Sequence, residues 1–382
     1  MTGFSFNTVP QVIVGAGAAH DLGPVCQRLG MHKPLLVSDA GLVALGLIQP
    51  VVDALASHCD ACHLFDGIEA DPSEAVVESA LNTLRVHGCD GVIAVGGGSS
   101  MDVAKVVAVL AKNQQPLSAI YGVDQVQGGR LPLALVPTTA GTGSEATPVA
   151  VITTGATTKA GVSSATLLPD VAVLDAALTL RLPPAITAMT GIDAMVHAIE
   201  AFTSRLRKNP ISNALALRAL ELLGGNCRRV LNDGQDVAAR ESMLLGAFFA
   251  GQAFANAPVA AVHALAYPLG GHFHIPHGLS NSLMLPSVLA YNAVAVADDY
   301  AQLASVLPGA TPSAQGLIDW CEQLIADSGL PNNLADTGVP ESALPTLAAD
   351  AMAQQRLLVN NPVAIDEATA LALYQQAWEK PA

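Results

Sequence analysis

From Ser242 to Ala297 the chain has no Asp, Glu, Lys or Arg. A run of that length without charge belongs either in a bilayer or in the interior of a large fold. Gln252, Asn256 and the prolines Pro258, Pro268, Pro276 and Pro286 break it up, so no stretch of ~20 apolar residues survives to span a membrane. Buried helices are the better expectation. His263, His272, His274 and His277 all lie inside the run, with His197 upstream, so half of the chain's 10 histidines are at or near it. Imidazoles in an apolar interior need partners, which points to an interior polar site.

At 382 residues the chain exceeds one ordinary core, and two domains are expected. A hydrophobic share of 51% against 13% charged residues describes a well-buried globular protein rather than a disordered one. The formal charge of −15 excludes a nucleic-acid partner, since phosphate binding draws on clustered Lys and Arg. The opening MTGFSFNTVPQVIVG has no basic flank ahead of an apolar core, so no signal peptide and a cytoplasmic location are expected. Cys26, Cys59, Cys62, Cys89, Cys227 and Cys321 are scattered, and a chain this size needs no disulfides. Cys59-Asp60-Ala61-Cys62-His63 spells a c-type haem attachment pattern, but that would require export and an open fold around the haem.

The first ~180 residues alternate short β-branched runs with amphipathic stretches, the pattern of βαβ units on a parallel sheet. Strands are expected at 34–38, 91–95 and 133–136, with further ones at 149–153 and 171–174. Residues 46–57 and 73–88 read as helices, the second announced by Asp71-Pro72-Ser73. After Leu182-Pro183-Pro184, Ala/Leu-rich segments with helical spacing take over. The division is therefore 1–180 as an α/β domain and 181–382 as a helical domain.

Residues 91–105, GVIAVGGGSSMDVAK, form an apolar strand, a glycine turn and a helix start. Glycines there let backbone approach a pyrophosphate, and a helix N-terminus offers unpaired N–H groups to an anion. Gly15-Ala16-Gly17 lacks the third glycine of a dinucleotide fingerprint and reads as a turn. Asp39, at the end of the first of these strands, either accepts from ribose hydroxyls, which favours NAD over NADP, or caps the next helix. A third loop, residues 136–145 (VPTTAGTGSE), places hydroxyls and free amides after a strand. Asp102 and Lys105, one turn apart, pair with each other or help seat nicotinamide. Asp102 is read as a cofactor contact and Lys105 as structural. Glu145 and Glu200 are read as hydrogen-bonding or packing residues.

In residues 190–200, TGIDAMVHAIE, Asp193 and His197 stand four apart and share a helix face. His263 is expected on a helix and His277 in a loop after Pro276. One carboxylate and three imidazoles make an N/O donor set suited to Fe²⁺, Zn²⁺ or Mn²⁺. Spacing alone leaves open whether they converge.

GGGSSMDVAK, PTTAGTGSE, GIDAMVHAIEAFTS and HALAYPLGGHFHIPHG stand in an order and spacing that resemble the iron-containing alcohol dehydrogenases, a family that includes lactaldehyde reductase and propanediol dehydrogenase. The likeness runs from about Pro10 to Asn292. It implies the dehydroquinate synthase-like fold of that family, an active site in the cleft between the two domains, NAD, an iron-type metal, a small alcohol or aldehyde substrate and a homodimer. It implies Asp193, His197, His263 and His277 as metal ligands. Asp39, Gly97, Gly98, Ser99, Thr138, Thr139 and Lys159 fall on family NAD contacts, and Asp102, Thr142 and Val149 join the expected cofactor residues. Asp71 stands where many members have asparagine. Tyr267 replaces a histidine thought to assist proton exchange; it and His277 are the residues expected to act on the substrate. Phe248, Phe249 and Phe254, with Val149, are the apolar candidates for shaping the pocket. Three rival functions stay open: a hydroxyacid-oxoacid transhydrogenase with retained NAD, an NAD- and metal-dependent lyase, and a non-catalytic NAD or metal sensor.

Overall fold

The computed structural model describes residues 3–155 and 158–379. The chain divides into two compact units. One comprises Asn7–Arg181; the other runs from Leu182 onward and includes the N-terminal segment ending at Phe6.

The first unit is a doubly wound sheet. Strands β1 (Gln11–Val14), β2 (Pro34–Val37), β3 (His63–Phe65), β4 (Gly91–Gly96), β6 (Leu133–Pro137) and β9 (Val171–Leu174) line up in the order β1-β9-β6-β4-β2-β3, every pair parallel. The strands β2, β4, β6 and β9 are buried throughout, which is why they read as unbroken apolar runs. Helices α1 (Leu22–Leu29), α2 (Ala40–Ala44), α3 (Gln49–Ala56), α4 (Glu74–His87) and α5 (Gly98–Lys112) connect them. Two separate apolar clusters form, one with Leu36, Ile93, Val95 and Val136 and the other with Leu35, Val37, Val92 and Ala94. Alternate residues of β2 and β4 thus point to opposite faces, each covered.

Residues 149–153 do form a strand, but outside this sheet. A second sheet, β5 (Gly122–Val123), β8 (Thr158–Ser163) and β7 (Val149–Thr154), has β7 antiparallel to β8. Strands β1, β3, β5 and β8 are short or mixed in polarity, and the sequence pattern did not predict them. The Cys59-to-His63 motif is built into this unit. Cys59 and Cys62 pack on the cluster that holds Cys26, the His63 ring stacks on His87 at 4.0 Å, and all six thiols are free.

The second unit has no strand among its described residues. Helices α6 (Pro184–Thr203), α7 (Pro210–Asn232), α8 (Val237–Asn256), α9 (Ala261–Phe273) and α10 (His277–Ala304) form its centre, with α11 (Ala314–Asp327), α12 (Leu344–Ala351), α13 (Gln355–Leu358) and α14 (Glu367–Glu379) following. The charge-free run covers most of α8, all of α9 and most of α10. Helices α8 and α9 meet at 104°, and α10, although long and apolar enough to cross a bilayer, is largely covered by protein. Proline opens α6 and α7, where its missing N–H costs no hydrogen bond.

Candidate metal centre and nucleotide loops

In the sheet unit, β2 leads outward to β3 and the chain then returns to β4 on the other side of β2. This makes the carboxyl ends of β2 and β4 the topological switch point, where open α/β sheets bind ligands. Asp39 follows β2. One of its oxygens accepts from the Leu42 amide at 2.9 Å, so it caps α2, the second of the two roles considered for it. Gly97 and Gly98 follow β4 and open α5. A Cβ on Gly98 would fall 2.9 Å from Thr142 Cγ2, and one on Gly97 would meet Thr139 at 3.7 Å, so the glycine turn and the loop after β6 lie against each other. Ser99, Thr138, Thr139 and Thr142 therefore belong to one neighbourhood of backbone amides and hydroxyls.

Asp102 and Lys105 form part of a buried polar link inside this unit. Asp102 accepts from Ser144 Oγ at 2.6 Å and from the Val151 amide at 2.9 Å. Lys105 Nζ donates to Ser144 Oγ, Thr147 Oγ1 and the Val149 carbonyl. The lysine lies 3.9 Å from the aspartate, and both tie α5 to the segment around β7. Lys159 reaches Asp71 at 2.5 Å, and Asp71 sits at φ 52, a conformation in which asparagine is also at ease.

Glu145, beside this link, is 2% exposed. Burial pushes its carboxyl up to about 7, against the pull of its own backbone amide and of the Lys105 ammonium. The folded interior favours the protonated acid, so the contribution of Glu145 is most favourable below its ordinary value of 4.5 and is lost as pH rises through about 7. Urea titrations should therefore show wild type losing stability relative to Glu145→Gln between about pH 4.5 and 7. Parallel curves for the two proteins would refute it.

The helical unit brings the histidines together. Asp193, His197 and Glu200 lie at i, i+4 and i+7 on α6, forming one stripe, and all three are buried. His263 sits in the first turn of α9, and His277 is the first residue of α10 rather than part of a loop. Pro276 supplies the N-cap backbone, which lets the helix begin one residue after it. One ligand-type atom each of Asp193, His263 and His277 lies within 4.8 Å of the other two. His263 Nε2 is 3.8 Å and His277 Nε2 3.6 Å from Asp193 Oδ1. His197 Nε2 flanks the same oxygen at 4.0 Å, with its ring stacked between Phe254 and His263 at centroid distances of 4.3 and 4.6 Å. His277 is the half-exposed member, at 37% of its side chain.

Burial raises the Asp193 carboxyl, but the imidazoles of His197, His277 and His263 and the Asn281 amide more than offset this and hold it below the usual range. A buried, ionised carboxylate facing imidazole Nε2 atoms fits a divalent cation of the Fe²⁺, Zn²⁺ and Mn²⁺ group. Asn281, one turn beyond His277 and fully buried, was missed by the sequence reading. Its Nδ2 donates to Asp193 Oδ1 at 2.6 Å and lies 3.3 Å from both His263 Nε2 and His277 Nε2. The signal was there, as a polar residue four positions after a candidate ligand. Glu200 accepts from the amides of Ala260 and Val262 and lies 2.7 Å from His263 Nδ1. Tyr267, four residues after His263, has its ring 5.8 Å from that of His277.

A sheet with glycine and threonine loops at its switch point, and helices that gather a carboxylate and imidazoles, define a metal-using nucleotide-dependent enzyme. Two family models match the chain: Iron-containing alcohol dehydrogenase over residues 10–176, and Fe-containing alcohol dehydrogenase family, C-terminal, over residues 187–378. The chain belongs to the iron-containing alcohol dehydrogenases. It is 39% identical to long-chain-alcohol dehydrogenase 1 of Geobacillus thermodenitrificans, over 96% of this chain and 94% of that one. The crystal structure of a 1,3-propanediol oxidoreductase superposes with a TM-score of 0.95 at 34% identity, covering 99% of this chain and 100% of the other. Sulfoacetaldehyde reductase from Bifidobacterium kashiwanohense in complex with NAD⁺ superposes with a TM-score of 0.92 at 28% identity, covering 100% of each chain. This protein is an NAD-dependent oxidoreductase of that family, with a metal site at Asp193, His263 and His277.

Proposed function

We propose that the chain interconverts short alcohols with their aldehydes or ketones, NAD(H) carrying the hydride, and that Fe²⁺ is the ion held by Asp193, His197, His263 and His277. Zn²⁺ or Mn²⁺ suits the same donors. The observation that carries this reading is the convergence of the buried Asp193 carboxylate with the His263 and His277 imidazoles. When bound, such an ion acts as a Lewis acid toward a substrate oxygen. Asp193 would contribute the one negative charge among the four donors, and the three imidazoles would bind as neutral nitrogen donors. His277, being half-exposed, supports approach from its side. Phe254 backs the His197 ring and narrows that wall to apolar contact. Asp39, Gly97, Gly98, Ser99, Thr138, Thr139, Thr142 and Lys159 are the proposed NAD contacts. The engagement of Asp102 and Val149 with Ser144, Val151 and Lys105 favours a supporting role for both. The family likeness also supports a homodimer.

Tyr267 is the proposed proton donor in the reducing direction. Burial raises its phenol above the ordinary value, with Arg356 opposing and Asp193 and Glu200 reinforcing, so it stays a neutral O–H donor rather than becoming a base. Tyr267→Phe should lower kcat for aldehyde reduction by about 10²-fold at unchanged metal content. An unchanged kcat would leave water as the donor. The whole reading is tested with Fe²⁺- or Zn²⁺-loaded protein, NADH and a panel of short aldehydes that includes sulfoacetaldehyde and 3-hydroxypropionaldehyde. NADH oxidation is expected. Turnover of a hydroxyacid–oxoacid pair without added NAD would identify the transhydrogenase instead, and no turnover despite stoichiometric metal and NAD would identify a sensor.

A further inference from the structure

We infer that Glu200 is a positioning residue of the metal centre, holding His263 in the one tautomer that can bind an ion through Nε2. The inference rests on the metal site described above. Glu200 is 4% exposed and lies on α6, three residues past His197. Its Oε1 accepts from the Val262 amide at 2.7 Å, and its Oε2 accepts from the Ala260 amide at 2.9 Å. The same Oε2 is 2.7 Å from His263 Nδ1. A carboxylate that already accepts two backbone N–H groups has only acceptor capacity to offer the ring, so the proton of the neutral imidazole sits on Nδ1 and the lone pair on Nε2. The other edge of the ring is compatible with the same arrangement, because Nε2 lies 3.3 Å from the Asn281 Nδ2 donor.

The two backbone bonds extend this control to the main chain. Helix α9 leaves α8 at 104°, and its N-cap is Ala260, which has no side-chain oxygen to cap the first turn. The first amides of a helix need an acceptor. Glu200 supplies it from another helix, so the carboxylate that sets the proton on His263 also fixes where the helix bearing His263 begins. Carboxylate partners of this kind orient ligand histidines, and their loss costs about 10–100-fold in metal affinity.

Glu200→Gln separates this role from simple helix capping. In one orientation the glutamine amide donates to Nδ1 and drives the ring proton to Nε2; in the other its NH₂ meets the Val262 N–H. Zn²⁺ affinity, measured by chelator competition on metal-stripped protein, should fall about 10–100-fold in the variant. Long-range ¹H–¹⁵N spectra of histidine-labelled, metal-free wild type should place the His263 proton on Nδ1, a measurement that needs no variant to fold. A His263 proton on Nε2 in wild type, or wild-type Zn²⁺ affinity in Glu200→Gln, overturns the assignment. Neither measurement involves turnover, so failure of the loaded wild type on the aldehyde panel would remove the dehydrogenase reading and leave this one standing.

Discussion

His263→Ala is expected to purify without stoichiometric metal and to lose at least about a thousandfold in kcat/KM for aldehyde reduction, because Lewis-acid stabilisation is worth several kcal/mol and each 1.36 kcal/mol is a factor of ten. Two losses combine in this variant. A donor leaves the cluster around Asp193 Oδ1, and the Glu200 carboxylate loses the ring on which it acts. Because His263 is buried between other rings, its removal also opens a cavity. His277→Ala is the companion variant. With 37% of its side chain exposed, His277 can be truncated at little cost to packing, and the same loss of metal and activity is expected. Metal content by mass spectrometry and NADH oxidation on the same preparations give the answer. Full activity in either variant would show that the cluster does not serve the reaction.

The second large effect is expected from Gly278→Ala. Helix α10 approaches α6 so closely that a Cβ at residue 278 would lie 2.7 Å from the carbonyl carbon of Met189, and backbone cannot swing aside as a side chain can. The start of α10 must shift, and His277 shifts with it. Overpacking of this kind destabilises by about 1–3 kcal/mol. Zn²⁺ affinity should fall in the same variant, since His277 and Asn281 both move relative to Asp193. Gly225→Ala in α7 is the control: beyond its own helix backbone nothing lies within 4 Å of its would-be Cβ, and replacing a helical glycine should stabilise by about 0.5–1 kcal/mol. Thermal unfolding with and without Zn²⁺ reads both variants. Unchanged stability and metal affinity in Gly278→Ala would mean that the α6–α10 contact is not what fixes His277.

Much of the sheet unit was legible because its signals are local. The strands at 34–37, 91–96 and 133–137 are uninterrupted apolar runs, as strands buried on both faces must be. The glycine turn after β4 and the helix that follows it could be read from consecutive residues. β7 was found as a strand but not as part of a separate antiparallel pair, since a β-branched run carries no record of its partner. The pairing of β1 with β9 was beyond reach for the same reason.

For the candidate site, residue types and helical spacing pointed to Asp193, His197, His263 and His277, and family likeness ordered them. Glu200 was read as a hydrogen-bonding or packing residue without a partner in view, and Asn281 was not singled out. Their partners, Ala260, Val262 and Asp193, lie far away in sequence.

The order of residues settles which faces are apolar, where turns and helix starts fall, and that several imidazoles lie in or beside a run of 56 residues free of Asp, Glu, Lys and Arg. Those properties depend on residues a few positions apart. Only the packing of the helices brings Asp193 to His263 and His277 and sets Glu200 on the Nδ1 edge of His263. Each depends on the 104° turn between α8 and α9 and on the contact of Gly278 with Met189, which bring together atoms that no local pattern relates.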